Sequence, residues 1–581
     1  MAPALLYTSL SALIEALPLA LTSELHAQSR EECFHQEDVI SAVLLQLRSR
    51  INALSPLDRL PPEILLNIFE LFVHPSCNDS VLHLNSDERI STPVRTRQLL
   101  TITHVCRRWR EVSLNTATLW TRADDFKPAQ LDAFLERSRD AAISLHLQAE
   151  RAGTLTRFLA KCGHRLKHLD ITLHTDSLSR VPTLQAFRAP NLQSLTLVSQ
   201  EDLDVDPGDP EPVLFCDRVS SLRALAVDPA YICIPSNEFP HLTHLYLAKV
   251  SSRFLSRDVL SILLQLLSNT PALQYLHIEG LSRKASSTVA ARTASLRSLR
   301  GLTCGTSDLQ SALCLLNIID IPADVAIRLD RLECFAPDHV SLAQPLPCQA
   351  LLASFTRLEV ATEGEELHLV ADGARSGLWI QVQCVGGDWG EWLARLCTMF
   401  PLPSVTTLQA SAVDKHVIPS LLRQLPRLTT VAVHFNAGPL DEDDEAPPHE
   451  LASSLYASLN VDLPLLEVLV LGAKASRPDK LSPADLISMA AGRLGKGRPL
   501  QQLVVDLLDF WPDMGVRGPV SPDIDLFRAA FAPAADFVGD LQLLEHAGAC
   551  EFEMGGMWTI PEAERYWRIP ADETPCYRLF W

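Results

Sequence analysis

The sequence predicts an α/β protein in which a helical N-terminal region is followed by an irregular solenoid of strand–helix repeats. Three observations predict this fold class. A six-residue pattern, leucine-x-x-leucine-x-apolar, recurs ten times after residue 160. Amphipathic helical segments lie between several of these copies, and the first 125 residues lack the pattern. A chain of 581 residues is also too long for one compact core, which a repeat array does not need.

Composition and charge exclude several classes of function. Hydrophobic residues make up 47% and charged residues 21%, a globular composition. The net charge of -20 argues against general nucleic-acid binding, because a phosphate backbone requires a basic surface. No window reaches the ~20 uninterrupted apolar residues of a membrane span. The 14 scattered cysteines, without a CxxC pair, predict reduced thiols in a cytoplasmic or nuclear protein and no zinc site.

Residues 1–55 predict two helices. The apolar run over residues 5–21 lacks a basic start and contains Glu15 and Pro18, which disfavours a signal peptide. Residues 36–54 place apolar side chains on one helical face: Val39, Val43, Leu47, Ile51 and Leu54. We expect this face to pack against the helices that follow. A short coiled-coil arm for dimerisation is the alternative.

Two helical motifs define residues 56–125. The first, LDRLPPEILLNIF from residue 57, has prolines at a helix start and is apolar on almost every side. Such a helix needs its own core on one face and a partner on the other. A polar insertion over residues 74–98 follows. A second helix from Leu99 contains THVCRRWR, and Leu119-Trp120 closes the region.

Together, these motifs resemble an F-box, the module that joins a substrate receptor to an SCF-type ubiquitin ligase. The resemblance implies binding to a Skp-type adaptor and, through it, to a cullin scaffold. It also implies that Leu119-Trp120 anchors the module to the following chain. The insertion is longer than the usual link between the two F-box halves, and a generic helical hairpin is the alternative. The adaptor-binding residues that the resemblance implies are Leu60, Pro61, Pro62, Ile64, Leu65, Ile68, Val105, Cys106 and Trp109.

Residues 129–550 carry the repeated pattern. The first five copies begin at residues 166, 192, 222, 242 and 273, a spacing that fits one strand and one helix per unit, as in leucine-rich repeats. Strands would form the concave face and helices the convex face. An ordinary α/β domain with a parallel sheet is the alternative. Later copies begin at Leu329, Phe355, Leu428, Leu466 and Leu500. The chain as a whole resembles the F-box proteins with leucine-rich repeats of mushroom-forming fungi.

Helical segments connect the copies, and one insertion interrupts them. A first helix is predicted over residues 130–139, with Leu131, Phe134 and Leu135 inward. Near residues 361–400, two strand patterns joined at Asp372-Gly373 predict a hairpin, followed by a helix through Trp389 and Trp392. The further helices are predicted over residues 254–267, 309–319, 417–425, 451–459 and 486–494.

Residues 551–581 are dense in aromatic side chains, including Trp558, Tyr566 and Trp567. We expect a cap that covers the last repeat, which an open stack requires. An aromatic ligand-binding patch is the alternative reading of the same residues.

No catalytic motif is found in the sequence, so we expect neither an enzyme nor a cofactor or metal site. The prediction is a substrate-recognition subunit, in which the repeats bind an unknown target protein. A leucine-rich scaffold without a link to ubiquitination is the alternative, and an enzyme with an unrecognised site is a third reading. Target-binding residues are predicted at the positions next to the second leucine of each strand. They are His168, Asp170, Ser194, Thr196, His244, Tyr246, Tyr275 and His277.

Overall fold

A computed structural model gives the fold of the chain. It describes residues 15–16, 18–19, 22, 29–73, 82–83, 96–125, 127–148, 152–173, 181–199, 213–217, 219–250, 258–282, 293–335, 340, 346–363, 365–384, 389–411, 417–435, 449–461, 463–474, 481–508, 524–545, 558 and 561–568. Residues 74–81 and 84–95 of the polar insertion, most of the predicted first helix, and residues 551–557, 559–560 and 569–581 of the aromatic C-terminus lie outside this set.

The described helices are α1 (Arg30–Leu54), α2 (Pro62–Val73), α3 (Thr96–Val105), α4 (Arg107–Asn115), α5 (Pro128–Arg137), α6 (Ala152–Cys162), α7 (Val181–Ala186), α8 (Val259–Ser268), α9 (Leu309–Asn317), α10 (Gln349–Leu352), α11 (Gly390–Ala394), α12 (Leu396–Met399), α13 (Val417–Gln424), α14 (His449–Val461), α15 (Pro483–Gly495) and α16 (Ile524–Phe531).

The described strands are β1 (Leu82–His83), β2 (Arg122–Asp124), β3 (Ile143–Gln148), β4 (Leu166–Leu173), β5 (Ser194–Ser199), β6 (Ala224–Asp228), β7 (His244–Leu247), β8 (Tyr275–Glu279), β9 (Ala294–Ser295), β10 (Gly301–Gly305), β11 (Ile319–Asp320), β12 (Ala326–Cys334), β13 (Arg357–Glu363), β14 (Glu366–Asp372), β15 (Gly377–Cys384), β16 (Thr407–Ser411), β17 (Thr430–Phe435), β18 (Val468–Lys474), β19 (Gln502–Leu508), β20 (Asp540–Glu545) and β21 (Trp567–Arg568).

The chain divides into two compact units. The first comprises residues 1–79, 94–123 and 132–141, and the second comprises residues 80–93, 124–131 and 142–581. The polar insertion predicted within the F-box region is therefore split, because its residues 80–93 belong to the second unit.

The first unit is helical and has a small apolar core. Its fully buried side chains lie on α2, on α3 and on the 3₁₀ turn Ala117–Trp120. The sequence predicts one helix from Leu99 to Trp109, but the chain breaks at Cys106, whose φ of -155° is extended. The Cys106 thiol then caps α4 by accepting a hydrogen bond from the Trp109 N–H. The apolar residues of these elements that are at most 2% exposed are Leu65, Phe69, Leu99, Ile102, Leu119 and Trp120, and Ala123, Phe134 and Leu135 are also buried.

Helix α1 is long and well capped, yet it has no buried residue. Ser29 and Glu32 form a reciprocal capping box at its start. Val39 and Ile51, on the face predicted to pack against the F-box helices, are 50% and 59% exposed. The expectation that this face is covered by the following helices is therefore wrong, since α1 contacts them too little to bury any side chain.

The second unit is built on a large, mostly parallel sheet. The strand pairings follow the line β3-β4-β5-β6-β7-β8-β10-β12-β15-β14-β13-β16-β17-β18-β19-β20. Only the β15-β14 and β14-β13 pairs in this line are antiparallel. A mixed α/β fold is thus present, and its sheet is compatible with a solenoid.

All ten copies of the predicted pattern contribute to strands of this sheet. The leucines are in register between neighbours, as in the buried series Leu169, Leu195, Leu225 and Leu245. Within the line from β3 to β20, three strands were not predicted: β10, β16 and β20. Two of these carry weaker forms of the same pattern, with Leu299 and Leu302 leading into β10 and Val405 and Leu408 into β16.

The predicted hairpin forms, but it is part of the main sheet. Strands β14 and β15 pair in antiparallel register around Asp372-Gly373. β15 also pairs with β12 and β13 pairs with β16, so the hairpin continues the ladder. Trp392 lies on α11, as predicted, whereas Trp389 is the residue just before that helix.

Candidate functional site

The first candidate surface is the outer face of α2 in the helical unit. Ile64, Ile68 and Leu71 recur at intervals of three or four residues and are 45%, 42% and 72% exposed. Leu65 and Phe69, on the opposite face, are buried. A helix that is apolar on both sides and covered on only one presents a surface suited to a protein partner.

The structure separates the nine predicted adaptor-binding residues by exposure. Five are exposed: Pro61, Pro62, Ile64, Ile68 and Val105. Three are half-buried: Leu60, Cys106 and Trp109. Leu65 is a correction, because its side chain is completely buried and belongs to the core of the unit.

Helix α3 adds a second exposed apolar stretch that the sequence prediction covers only in part. Leu100 is 44% and Val105 51% exposed. With Thr101 and His104 they line a depression with a volume of about 420 Å³. Leu71, Phe72 and Leu100 were missed, although their spacing from predicted residues on the same helices could have identified them.

Hydrogen bonds and ring packing hold the α2 and α4 helices in place. The Arg108 guanidinium donates a hydrogen bond to the Leu60 carbonyl and lies 3.6 Å from the Asp58 carboxylate. The Phe69 and Trp109 rings are 4.8 Å apart. The Pro62 helix start and the Trp109 helix are thereby fixed relative to each other, which preorganises the exposed residues beside them.

Leu119 and Trp120 are anchoring residues, as the resemblance implied. Both are buried, and the Trp120 indole N–H donates a hydrogen bond to the Ser113 carbonyl at 2.8 Å. The Trp120 ring packs edge-on against Phe134, with the Arg137 guanidinium 4.4 Å from its centre. The contacts of Trp120 with Phe134 and Arg137 join the 3₁₀ turn to α5.

The second candidate surface is one face of the large sheet, which we name the variable face. It is formed by the residues between the leucines, and the eight predicted target-binding residues all lie on it. Register across β4 to β8 arranges them in two rows, completed by Ala224 and Ala226. The rows are His168, Ser194, Ala224, His244 and Tyr275, and Asp170, Thr196, Ala226, Tyr246 and His277.

These residues are not open to solvent, which corrects the prediction that they point outward into a free surface. His168 and Asp170 are half-buried, and the other six are buried, with Tyr246 fully so. Burial raises the pKa of Asp170 and lowers the pKa of His244. Strand alternation places them on one face as predicted, but part of the C-terminus covers that face.

The covering segment comprises Trp558 and residues 561–568, which we name the strap. The Glu562 carbonyl lies 2.8 Å from His244 Nε2. The Tyr566 ring is 4.9 Å from the His244 ring. Trp567 is buried among small and apolar side chains of three adjacent strands: Val198, Ala224, Ala226, Tyr246 and Ala248.

The strap also contacts the distal part of the variable face. The Trp558 ring lies 5.9 Å from the ring of Trp379 on β15. Trp379 is buried in one cluster with Val370 of β14. The Arg328 guanidinium lies 4.4 Å from the centre of the Trp379 ring. For Trp558 and residues 561–568, the prediction of a cap over the last repeat is corrected, because their described contacts are with β1, with β4 to β7 and with β15.

A network of charged side chains lies at the ends of β8, β10 and β12. The Glu279 carboxylate accepts hydrogen bonds from His277, Thr306 and Arg331 at 2.8–3.2 Å. Burial alone would raise the pKa of Glu279, but these donors hold it below its ordinary value. The Asp330 carboxylate pairs with Arg328 at 3.0 Å. Because these buried carboxylates are paired with donors and cations, we assign the network a structural role.

The described residues contain no cluster of three or more histidine, cysteine or acidic side chains that could hold a metal ion. The cysteines in this part of the chain are free thiols, and burial raises the pKa of Cys233 and Cys304 to about 12. None of the described helices is long and apolar enough to cross a membrane.

Comparison with protein families gives one match, at residues 57–125, to the F-box-like family. The matched segment covers α2, α3, α4 and the Leu119-Trp120 anchor. No curated protein matches the chain. Residues 57–125 are therefore an F-box-like domain, and F-box domains generally bind Skp-type adaptors. A domain of this class suggests a role in substrate recognition by a ubiquitin ligase.

Proposed function

We propose that this protein is a substrate-recognition subunit of an SCF-type cullin-RING ubiquitin ligase. Its F-box-like domain binds a Skp-type adaptor and thereby a cullin scaffold. Its sheet, as an irregular leucine-rich-repeat array of the kind found in fungal F-box proteins, binds a target protein. The protein acts by positioning and is not itself the catalyst, because a bound target is held at high effective concentration near the ubiquitin carrier. Such a role places it in the cytoplasm or nucleus.

The observation that carries the proposal is the exposed apolar face of α2 within the family-matched segment. Ile64 and Ile68 are more than 40% exposed on a helix that already has a buried core face. Apolar side chains presented in this way favour association, at about 25 cal/mol for each Å² of apolar surface that a partner removes from water.

Co-elution tests the proposal. The purified chain, a Skp-type adaptor and the N-terminal region of a cullin are mixed and separated by size exclusion. We expect one complex containing all three proteins. The double substitution Leu60→Ala and Ile64→Ala should remove the chain from that complex while leaving its circular dichroism unchanged.

A leucine-rich scaffold that is not coupled to ubiquitination is the second candidate function. The exposed apolar residues of α1 favour it, because that helix offers a further protein-binding face outside the matched segment. This alternative predicts that neither the adaptor nor the cullin co-elutes with the folded chain.

A further inference from the structure

We propose that the strap is an intramolecular ligand, and that the variable face binds a target segment with two adjacent aromatic residues. The target would displace the strap before binding. This inference deepens the proposed function, since it states the chemistry of the segment that the sheet recognises. The strap sequence from Trp558 to Arg568 is WTIPEAERYWR.

Trp567 occupies a socket that is lined by small side chains. Ala224 and Ala226 on β6 lie in register with the larger His244 and Tyr246 on β7, and Ala248 directly follows β7. Their small side chains leave room above the sheet, and the indole of Trp567 fills it to 2% exposure. A flat aromatic residue entering a recess lined by small and aromatic residues is typical of an interface anchor.

Beside this socket, the variable face contacts the backbone of the strap, and this contact does not depend on the sequence of the strap. His244 Nε2 contacts the carbonyl of Glu562, whereas the His244 Nδ1 atom lies 2.8 Å from the Thr243 hydroxyl. Glu562 lies in the 3₁₀ turn Pro561–Glu564, and every residue of a peptide carries a carbonyl, so this contact does not select a side chain. The aromatic contacts around His244 then select the side chains of the bound segment.

The next aromatic position is beside the socket. The Tyr566 ring lies edge-on to His244 and 6.5 Å from the ring of His168 on β4. Tyr566 and Trp567 are consecutive residues whose rings both lie beside His244, and Trp567 enters the socket. The ligand class therefore has two adjacent aromatic residues, preceded by a segment that provides the carbonyl.

Several strap side chains remain exposed to solvent, which is the property expected of a displaceable ligand. Glu562, Glu564 and Arg565 are exposed, although Trp567 close by in the same segment is buried. Within its described residues, the regular structure of the strap consists of the 3₁₀ turn Pro561–Glu564 and of β21, which forms a two-residue parallel ladder with β1. The contacts that hold it are side-chain contacts to the face together with this short ladder.

The distance between the two anchors of the strap is within the reach of the residues that join them. Trp558 contacts β15 and Tyr566 contacts β7, which are separated in the ladder by β12, β10 and β8. Four interstrand steps correspond to roughly 19 Å at ~4.8 Å each. Pro561–Glu564 forms a 3₁₀ turn, which rises by about 2 Å per residue. With the other four residues at about 3.3 Å each, the reach is roughly 21 Å, so one segment reaches both anchors.

A cleavable full-length chain tests the proposal. A specific protease site is inserted between Gly555 and Gly556, and the probe is a fluorescein-labelled WTIPEAERYWR peptide followed by anisotropy. We expect no binding to the uncleaved chain. After cleavage and removal of the released fragment, the peptide should bind saturably. Trp567→Ala in the peptide should weaken binding at least tenfold, whereas the matched control Glu564→Ala should leave it within twofold.

A second, uncleaved variant addresses loss of folding on cleavage. Tyr566→Ala with Trp567→Ala in the full chain should leave the circular dichroism unchanged and allow the same peptide to bind. Ala226→Leu, which fills the socket, should then abolish that binding.

Three results would overturn the proposal. They are a folded, strap-free chain that does not bind the peptide, an uncleaved wild-type chain that binds it equally well, and unfolding of both variants. The last result would show that the strap is part of the core. None of these measurements involves the adaptor, so their failure is distinguishable from failure of the F-box-like domain to bind it.

Discussion

Arg493 shows at the scale of one residue how a charged side chain can stabilise a buried position. It is 2% exposed on α15, and its guanidinium donates hydrogen bonds to the carbonyls of Leu459, Leu463 and Leu466. Three carbonyls at the end of α14 and in the following turn thus share one donor group. Such a fork has a fixed planar geometry that lysine does not reproduce.

We expect Arg493→Met to lower the free energy of unfolding by roughly 3–5 kcal/mol, because three buried carbonyls lose their donor. Arg493→Lys should recover only part of this loss. Urea unfolding followed by circular dichroism measures both. Arg498→Met is the matched control at an exposed position and should change stability by less than about 0.5 kcal/mol. Equal effects at the two positions would contradict the assigned role.

Glu359 predicts a pH dependence of stability. Burial raises its pKa to about 8 from an ordinary value of 4.5, an effect that the nearby Arg357 opposes and Asp372 reinforces. The folded state therefore holds a proton that the unfolded state releases above pH 4.5. This contribution to stability is fully present below pH 4.5 and is lost as the pH rises through 8.

Glu359→Gln removes this titration, so the variant should gain stability relative to the wild type as the pH rises from 5 to 8. The gain cannot exceed about 1.4 kcal/mol for each pH unit. Urea midpoints at pH 5 and pH 8 measure the difference. Glu391→Gln, at an exposed carboxyl, should show none. A Glu359→Gln effect of the same size at both pH values would show that the buried carboxyl does not titrate in this way.

Residue periodicity was sufficient to place side chains on faces but not to predict their exposure. The alternation around the paired leucines correctly put His244 and Tyr246 on one face of the sheet, because strand geometry is local. Their burial depends on Tyr566 and Trp567, which lie over 300 residues away in sequence. Leu65 illustrates the same limit, since the motif assigned it to a partner and the fold placed it in the core.

At the scale of elements, the insertion between the F-box halves has a structural role in the second unit. Its strand β1 pairs in parallel with β21 of the strap. The sequence marks residues 74–98 as a polar loop and the C-terminus as aromatic, but a two-residue strand has no periodicity from which pairing could be predicted. Helix and strand existence was more predictable, because each leucine pattern buries one side of a strand.

Replacing residues 80–93 by a glycine–serine linker removes β1 and should weaken the attachment of the strap. We expect the labelled WTIPEAERYWR peptide to bind this otherwise intact chain, because the strap loses its backbone pairing. Amide hydrogen exchange in residues 561–568 should become at least tenfold faster. Unchanged exchange and no peptide binding would show that the variable face alone holds the strap.

At the scale of the whole molecule, two units carry two different kinds of surface. The helical unit presents uncovered apolar residues on α2 and α3, whereas the sheet unit has a face already occupied by its own strap. The first surface was predictable from short motifs whose residues are close in sequence. The occupied face was not, because it depends on contacts between the strap and strands from β4 to β15.

The central claim is that the exposed face of α2 binds a Skp-type adaptor, and isothermal titration calorimetry of the two purified proteins tests it most directly. We expect the wild-type chain to bind the adaptor one to one. Ile68→Asp should bind at least tenfold more weakly, because a charge on an apolar contact face is costly to desolvate. Val43→Asp, a matched change on exposed α1, should bind like the wild type. Equal affinities of all three chains, or a folded wild-type chain that does not bind, would contradict the claim.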